Sequence, residues 1–87
     1  MPKLRESPKE RMDRAFMAAL RYGQALRGEK DLDTAQLMPK SRSTYYCHLR
    51  DPDKFTRAEL RILIPRYFTD RQLCEAFGVE YHGATAN

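Results

Sequence analysis

Three short patterns in this chain each mark the start of a helix, and they restrict the fold more than any other feature. In each pattern a serine or threonine is followed three residues later by a glutamate or glutamine: Ser7 and Glu10, Thr56 and Glu59, and Thr69 and Gln72. The hydroxyl of the first residue accepts a hydrogen bond from the backbone of the second, whose side chain accepts one in return. We therefore predict that helices begin after residues 7, 56 and 69.

Apolar residues recur at three- and four-residue intervals behind these starts, as the buried face of a helix requires. The predicted inward residues of the first helix are Met12, Ala15, Phe16, Ala19, Leu20, Gly23 and Leu26. Those of the two C-terminal helices, with Phe55 ahead of them, are Leu60, Leu63, Ile64, Tyr67, Leu73, Cys74 and Phe77. Gly28 and Gly78 are expected to end the first and last helices, and Pro65 to kink or shorten the helix between them.

Two shorter helices are predicted around a turn at Pro39. The first runs from about Asp31 to Met38, and the second is capped by Ser41 and runs to about Arg50. Their expected inward residues are Leu32, Ala35, Leu37 or Met38, Tyr45 and Leu49. No strand pattern accompanies these helices, so the sequence predicts an all-α fold, a compact five-helix bundle. It is expected to form one domain over residues 1–87, with a basic arm at 1–6 and a flexible tail at 79–87.

The charge of the chain favours a polyanionic partner, and its cysteines favour a reducing compartment. Sixteen Lys and Arg against twelve Asp and Glu leave a net charge of +4 and a pI near 9.3. Cys47 and Cys74 stand far apart, without the spacing of a disulfide framework. No apolar run is long enough to span a membrane, and the N-terminus lacks the apolar stretch of a signal peptide. We expect a cytoplasmic protein with no membrane partner.

The second of the two short helices has the composition of a helix that reads DNA. Its polar side displays Arg42, Ser43, Tyr46, Cys47 and Arg50, opposite the apolar side. Small side chains near the start of a helix let the backbone approach a duplex, while hydroxyl and guanidinium groups reach phosphates or base edges in the major groove. This segment predicts a DNA-recognition helix.

About half of the chain resembles a known family. The resemblance lies in Ala35 to Met38, Ser41 to Tyr46, Leu49, Asp51-Pro52, Phe55-Thr56 and Glu59-Leu60, which are similar to the lambda-repressor-like helix-turn-helix regulators, particularly small phage ones. Two positions depart from the family pattern: Pro39 stands where a turn glycine is usual, and Lys40 where an apolar residue normally packs. We expect an altered turn, with Met38 in the vacated apolar position.

The resemblance implies a helix-turn-helix transcriptional regulator that binds double-stranded DNA as a homodimer, such as a repressor. Arg42, Ser43 and Tyr46 would contact base edges or nearby phosphates, and Lys54 and Arg57 would face the phosphate backbone. The complete set of candidate DNA contacts is Lys40, Ser41, Arg42, Ser43, Thr44, Tyr46, Cys47, Arg50, Lys54 and Arg57.

The other function classes have weaker support. We expect no enzyme, cofactor or small-molecule substrate, because no catalytic spacing or glycine-rich phosphate loop is present. Four residues could ligate zinc, namely Cys47, His48, Cys74 and His82. Their spacing matches no known zinc finger, so no metal site is expected. The alternative function is a protein-interaction module on the same scaffold, an antirepressor or assembly adaptor that does not bind DNA. Pro39 and the modest charge favour that alternative.

Overall fold

The computed structural model of this chain describes residues 6–81, and within that range it is all-helical. The helices are α1 (Pro8–Arg27), α2 (Asp31–Leu37), α3 (Arg42–Arg50), α4 (Arg57–Tyr67) and α5 (Asp70–Phe77), with a 3-10 turn at Pro52–Lys54. The all-α prediction is confirmed, and five α-helices without a strand make up the described part of the chain. Within residues 6–81, no helix combines the length and the apolar character needed to cross a membrane.

The predicted helix starts and stops are confirmed by their hydrogen bonds. Ser7 accepts from the backbone N–H of Glu10 at 3.1 Å, and the boxes at Thr56 and Thr69 close in the same way. Gly28 and Gly78 end α1 and α5 with left-handed φ angles of 68° and 69°. Helix α4 continues through Pro65 and ends two residues later, at Tyr67.

The core draws a buried side chain from every helix. Its members are Phe16, Leu20, Ala35, Met38, Tyr45, Phe55, Leu63, Tyr67 and Ala76. Helix α1 is the central element and packs mainly against α5 and α4. The ring of Phe16 lies 5.5 Å from Phe55 and 5.0 Å from Phe68, between centroids. These aromatic contacts join the first helix to the C-terminal half of the chain.

Helices α1 and α4 approach closely at Gly23. A Cβ atom placed on Gly23 would lie 2.4 Å from the carbonyl oxygen of Tyr67 and 2.7 Å from its Cα. Those are backbone atoms, which cannot move aside as a flexible side chain can. Position 23 therefore requires glycine because of space, although the sequence indicated only an inward position.

Three leucine or phenylalanine residues expected to face inward are exposed instead. The exposed fractions are 71% for Leu26, 44% for Leu32 and 45% for Phe77; of the alternatives Leu37 and Met38, Leu37 is 41% exposed and Met38 is buried. Leu26 lies near the C-terminal end of α1, beyond the last buried residues of that helix, Gly23 and Gln24. In α2 the inner positions are Thr34 and Ala35, which turns both leucines outward.

Some sequence predictions fall on residues outside the described range. Residues 1–5 of the predicted basic arm, with Lys3 and Arg5, lie there, as do residues 82–87 of the predicted tail, with His82. In the described part of the tail, Val79 and Tyr81 are exposed.

Candidate nucleic-acid interface

The turn between α2 and α3 is short and is built around Pro39. Met38 has an extended backbone, with φ −79° and ψ 149°, as the residue before a proline should. Its side chain is buried in the core, as expected from the sequence, while Lys40 is exposed. The turn thus buries the apolar residue before Pro39 and exposes the cation after it.

Ser41 begins α3 and uses its hydroxyl locally. The hydroxyl accepts from the backbone N–H of Thr44 at 3.2 Å, and it lies 2.9 Å from the hydroxyl of Thr44. Thr44 is half-buried. These two predicted contact residues therefore also stabilise the first turn of α3.

Tyr45 anchors α3 from its inner side. The ring is completely buried, and the hydroxyl donates to Oδ1 of Asp31 at 3.2 Å. Burial raises the pKa of Tyr45, and the neighbouring charge of Asp31 raises it further, so the hydroxyl remains a donor. Asp31 lies at the start of α2, and this bond fixes α3 relative to α2.

Asp31 also joins α2 to α1. Arg21 and Gln24 of α1 both donate to its Oδ1, at 2.5 and 3.1 Å. Partial burial raises the pKa of Asp31, but the hydrogen bonds from Arg21, Gln24 and Tyr45 more than offset this effect and lower the pKa below its ordinary value. One carboxylate thus holds three helices together.

The polar network continues to α4 through buried groups. The amide of Gln24 donates to the hydroxyl of Thr34 at 2.9 Å, and that hydroxyl lies 2.8 Å from the hydroxyl of Tyr67. Tyr67 donates to Glu29 at 2.6 Å, and Arg66 forms an ion pair with the same carboxylate. The bonds from Arg66 and Tyr67 lower the pKa of Glu29.

A second attachment joins α3 to α4 through His48. Its Nδ1 atom lies 3.0 Å from Oε1 and 3.1 Å from Oε2 of Glu59, whose side chain is completely buried. The backbone N–H of Thr56 donates to the same Oε1 at 2.8 Å. His48 is thus a satisfied histidine that faces inward. With Tyr45 it holds α3 in one orientation.

The other side of α3 and the segment after it are exposed. Of the ten candidate DNA contacts, all except Thr44 are exposed, and they extend from the turn through α3 to the start of α4. Tyr46 is 37% exposed, and its ring packs edge-on against Tyr45 at 5.5 Å. The structure therefore leaves nine of the ten predicted residues accessible to a partner.

The charges of this stretch are strongly asymmetric. Its cations are Lys40, Arg42, Arg50, Lys54, Arg57 and Arg61, and none of them forms an ion pair within residues 6–81. The carboxylates between residues 40 and 61 are Asp51, Asp53 and Glu59, and all three are engaged. The surface therefore presents uncompensated positive charge.

Lys9 of α1 forms ion pairs with two of these carboxylates. Its Nζ lies 3.2 Å from Asp51 and 3.6 Å from Asp53, and it also binds Asp13 at 2.6 Å. The ion pair lowers the pKa of Asp51, and hydrogen bonds with Asp13 and Asp51 raise the pKa of Lys9. The acidic groups at the end of α3 are thus held beside a resident cation.

Sequence reasoning missed two residues of this surface. Arg61 follows Arg57 by four positions, and helical spacing alone could have placed both on one face. The role of Lys9 had no such signal, because it depends on a contact between residues 42 positions apart.

Comparisons with known proteins gave no match to this chain among family models, curated proteins or solved structures.

Proposed function

We propose that this protein is a sequence-specific transcriptional regulator that binds double-stranded DNA. The observation that carries the proposal is the charge of residues 40–61, where six exposed cations lack carboxylate partners while the three carboxylates are in contact with Lys9 or with His48. DNA phosphates are the partners that such a surface fits best, because each phosphate contact by Lys or Arg releases a condensed counterion.

In this proposal α2, the turn at Pro39 and α3 act as a helix-turn-helix, with α3 in the major groove. The resemblance to lambda-repressor-like regulators supports that assignment. Arg42, Ser43 and Tyr46 would contact bases or nearby phosphates, since they lie on the exposed side of α3. The free backbone N–H groups at the start of α3 suit a phosphate oxygen. The rigid attachment of α3 through Tyr45 and His48 would reduce the entropy lost on binding.

The outer part of the interface would contact the DNA backbone. Lys40 precedes α3, Cys47 and Arg50 lie further along it, and Lys54 and Arg57 follow it. Such contacts position a protein on DNA but carry no sequence information. Specificity is therefore assigned to the residues in the first half of α3.

A homodimer is part of the proposal, because one short helix reads too few base pairs for useful specificity. The exposed apolar side chains that follow α5, Val79 and Tyr81, offer a surface for a second copy. Sedimentation equilibrium with and without a palindromic duplex tests this part. A chain that remains monomeric on a two-fold symmetric site would contradict it.

The primary test is a gel shift with random duplex DNA at low salt. Binding at micromolar protein is expected, and a fourfold increase in salt should weaken it by roughly tenfold or more, even for a few phosphate contacts. Selection of bound duplexes from a random pool would then report the sequence recognised. If no shift is seen at low salt, DNA binding is contradicted and the protein-interaction module becomes the proposed function.

A further inference from the structure

A groove between α4 and α5 borders the proposed DNA interface, but its apolar floor has no part in that interface. Its floor is apolar and is formed by Leu60 and Ile64 of α4 with Leu73 and Phe77 of α5. The groove is shallow and open to solvent, with a volume of about 660 Å³. Phosphate groups gain nothing from an apolar floor, so DNA does not account for this surface.

The rim of the groove is cationic. Arg57 and Arg61 line one side, one helical turn apart, and both are exposed. Neither has a carboxylate partner within residues 6–81, whereas Arg71 of α5 is paired with Glu75 at 3.8 Å. An occupant would therefore have to combine apolar side chains for the floor with negative charge for the rim.

We propose that this groove binds an acidic amphipathic helix of a partner protein. Grooves between two helices accept a third helix through apolar anchors spaced three, four and seven residues apart. Glutamates flanking those anchors would reach Arg57 and Arg61, whose guanidinium groups match carboxylates in bidentate geometry. The inference does not depend on DNA binding.

A second copy of this chain fits the same groove poorly. In a two-fold symmetric contact each surface faces its own duplicate, so the arginine rims of the two copies would be brought towards each other. Like charges at an interface oppose association. The favoured occupant is thus a different chain with acidic residues.

The proposal is tested with three synthetic helical peptides and the intact 87-residue protein, in the absence of DNA. The first peptide carries leucine anchors at helical spacing with flanking glutamates, the second has lysines in place of the glutamates, and the third has alanines in place of the anchors. Affinity is measured by fluorescence anisotropy. We expect the first peptide to bind and the other two to bind at least severalfold more weakly.

A charge reversal locates the site. Arg61→Glu should weaken binding of the acidic peptide by roughly twofold to fivefold and should strengthen binding of the lysine peptide, in line with the magnitude of exposed ion pairs. Lys30→Glu makes the same change of charge at the start of α2 and should leave both affinities unchanged. Circular dichroism melts confirm that both variants fold.

Three outcomes of the peptide experiments would overturn the proposal. The acidic and lysine peptides could bind with equal affinity. Arg61→Glu could leave the affinity for the acidic peptide unchanged, or none of the peptides could bind at concentrations up to about millimolar. Sedimentation then shows whether a second copy covers the groove. A second copy in the groove would also overturn the proposal. None of these outcomes bears on the gel shift with DNA, so the two proposals fail separately.

Discussion

The Nδ1 atom of His48 lies 3.0 Å from a carboxylate oxygen of Glu59, and that carboxylate has no exposed surface. The contact joins α3 to the first turn of α4. Glu59 simultaneously accepts the backbone N–H of Thr56 and completes the helix cap. A single buried carboxylate thus begins one helix and fixes another, which makes it a critical point for the position of α3.

Glu59→Ala should therefore lower the free energy of unfolding by about 3 kcal/mol, because it leaves a cavity at a fully buried side chain and leaves the ring N–H of His48 and the backbone N–H of Thr56 without their acceptor. Glu59→Gln keeps one carbonyl oxygen for the cap and should lower the free energy less. Urea denaturation measures both. A loss below roughly 0.5 kcal/mol for Glu59→Ala, the range of ordinary surface substitutions, would contradict a structural role for this pair.

The Thr56 cap shows which part of the structure could be predicted from the sequence. Its hydrogen bonds join residues three positions apart, so the residue types alone indicate the geometry. The same holds for the left-handed ends at Gly28 and Gly78. The contact from Glu59 to His48 could not be predicted in this way, since it depends on how two helices meet.

It was also harder to predict which residues of a helix face inward than to predict where the helix begins and ends. Leu26 and Leu32 fit the apolar spacing but are exposed, whereas the polar residues Gln24 and Thr34 are buried and hydrogen-bonded to each other. A buried polar pair can be recognised only when both partners are known to face each other. The exposed side of α3 was easier to predict, since Tyr45 identifies the opposite side.

Gly23→Ala should destabilise the protein by roughly 2 kcal/mol, because its new methyl group would collide with the backbone of Tyr67. Gly28→Ala is the matched control: no atom lies within 4 Å of its Cβ, so only the left-handed φ is unfavourable, at about 1 kcal/mol. Thermal melts compare the two. A Gly23→Ala variant as stable as the wild type would show that α1 and α4 are further apart than described.

The protein should lose stability in acid, and Asp31 should contribute to that loss. The pKa of Asp31 in the folded state lies below its ordinary value of 3.8, so the folded state binds its proton less readily than the unfolded state. The contribution is therefore complete above the unfolded pKa and disappears as the pH falls through the folded pKa. The lowered pKa of Glu29 acts in the same direction.

Asp31→Asn tests this prediction. The variant should be less stable than the wild type at neutral pH by about 1 kcal/mol, since it loses charge-assisted hydrogen bonds. Its free energy of unfolding should also depend less on pH in the acidic range, where the two proteins converge. Urea unfolding at neutral pH and at about pH 3 measures the difference. Parallel pH profiles would show that Asp31 has no lowered pKa.

Lys9→Met should weaken DNA binding although Lys9 is assigned no DNA contact. Removing the cation leaves Asp51 and Asp53 unneutralised beside the end of α3, and their charge would repel phosphates. The control is Lys30→Met, which removes the same charge from the start of α2, where it has no ion pair within the described residues. Equal reductions in affinity for both variants would show that only net charge matters.

Arg42→Ala and Tyr46→Phe should lower the affinity for a selected duplex without lowering the free energy of unfolding. Arg42 has no partner within residues 6–81, and Tyr46→Phe keeps the ring that packs edge-on against Tyr45 while removing the hydroxyl. Tyr46→Ala would remove that packing as well and lose roughly 0.5–1.5 kcal/mol of stability, so it is the less informative change.

Each lost base contact should reduce the affinity for the selected site by about 1–3 kcal/mol, and affinity for random DNA should fall less. Parallel losses of stability and DNA affinity in Arg42→Ala would instead assign that residue to the fold.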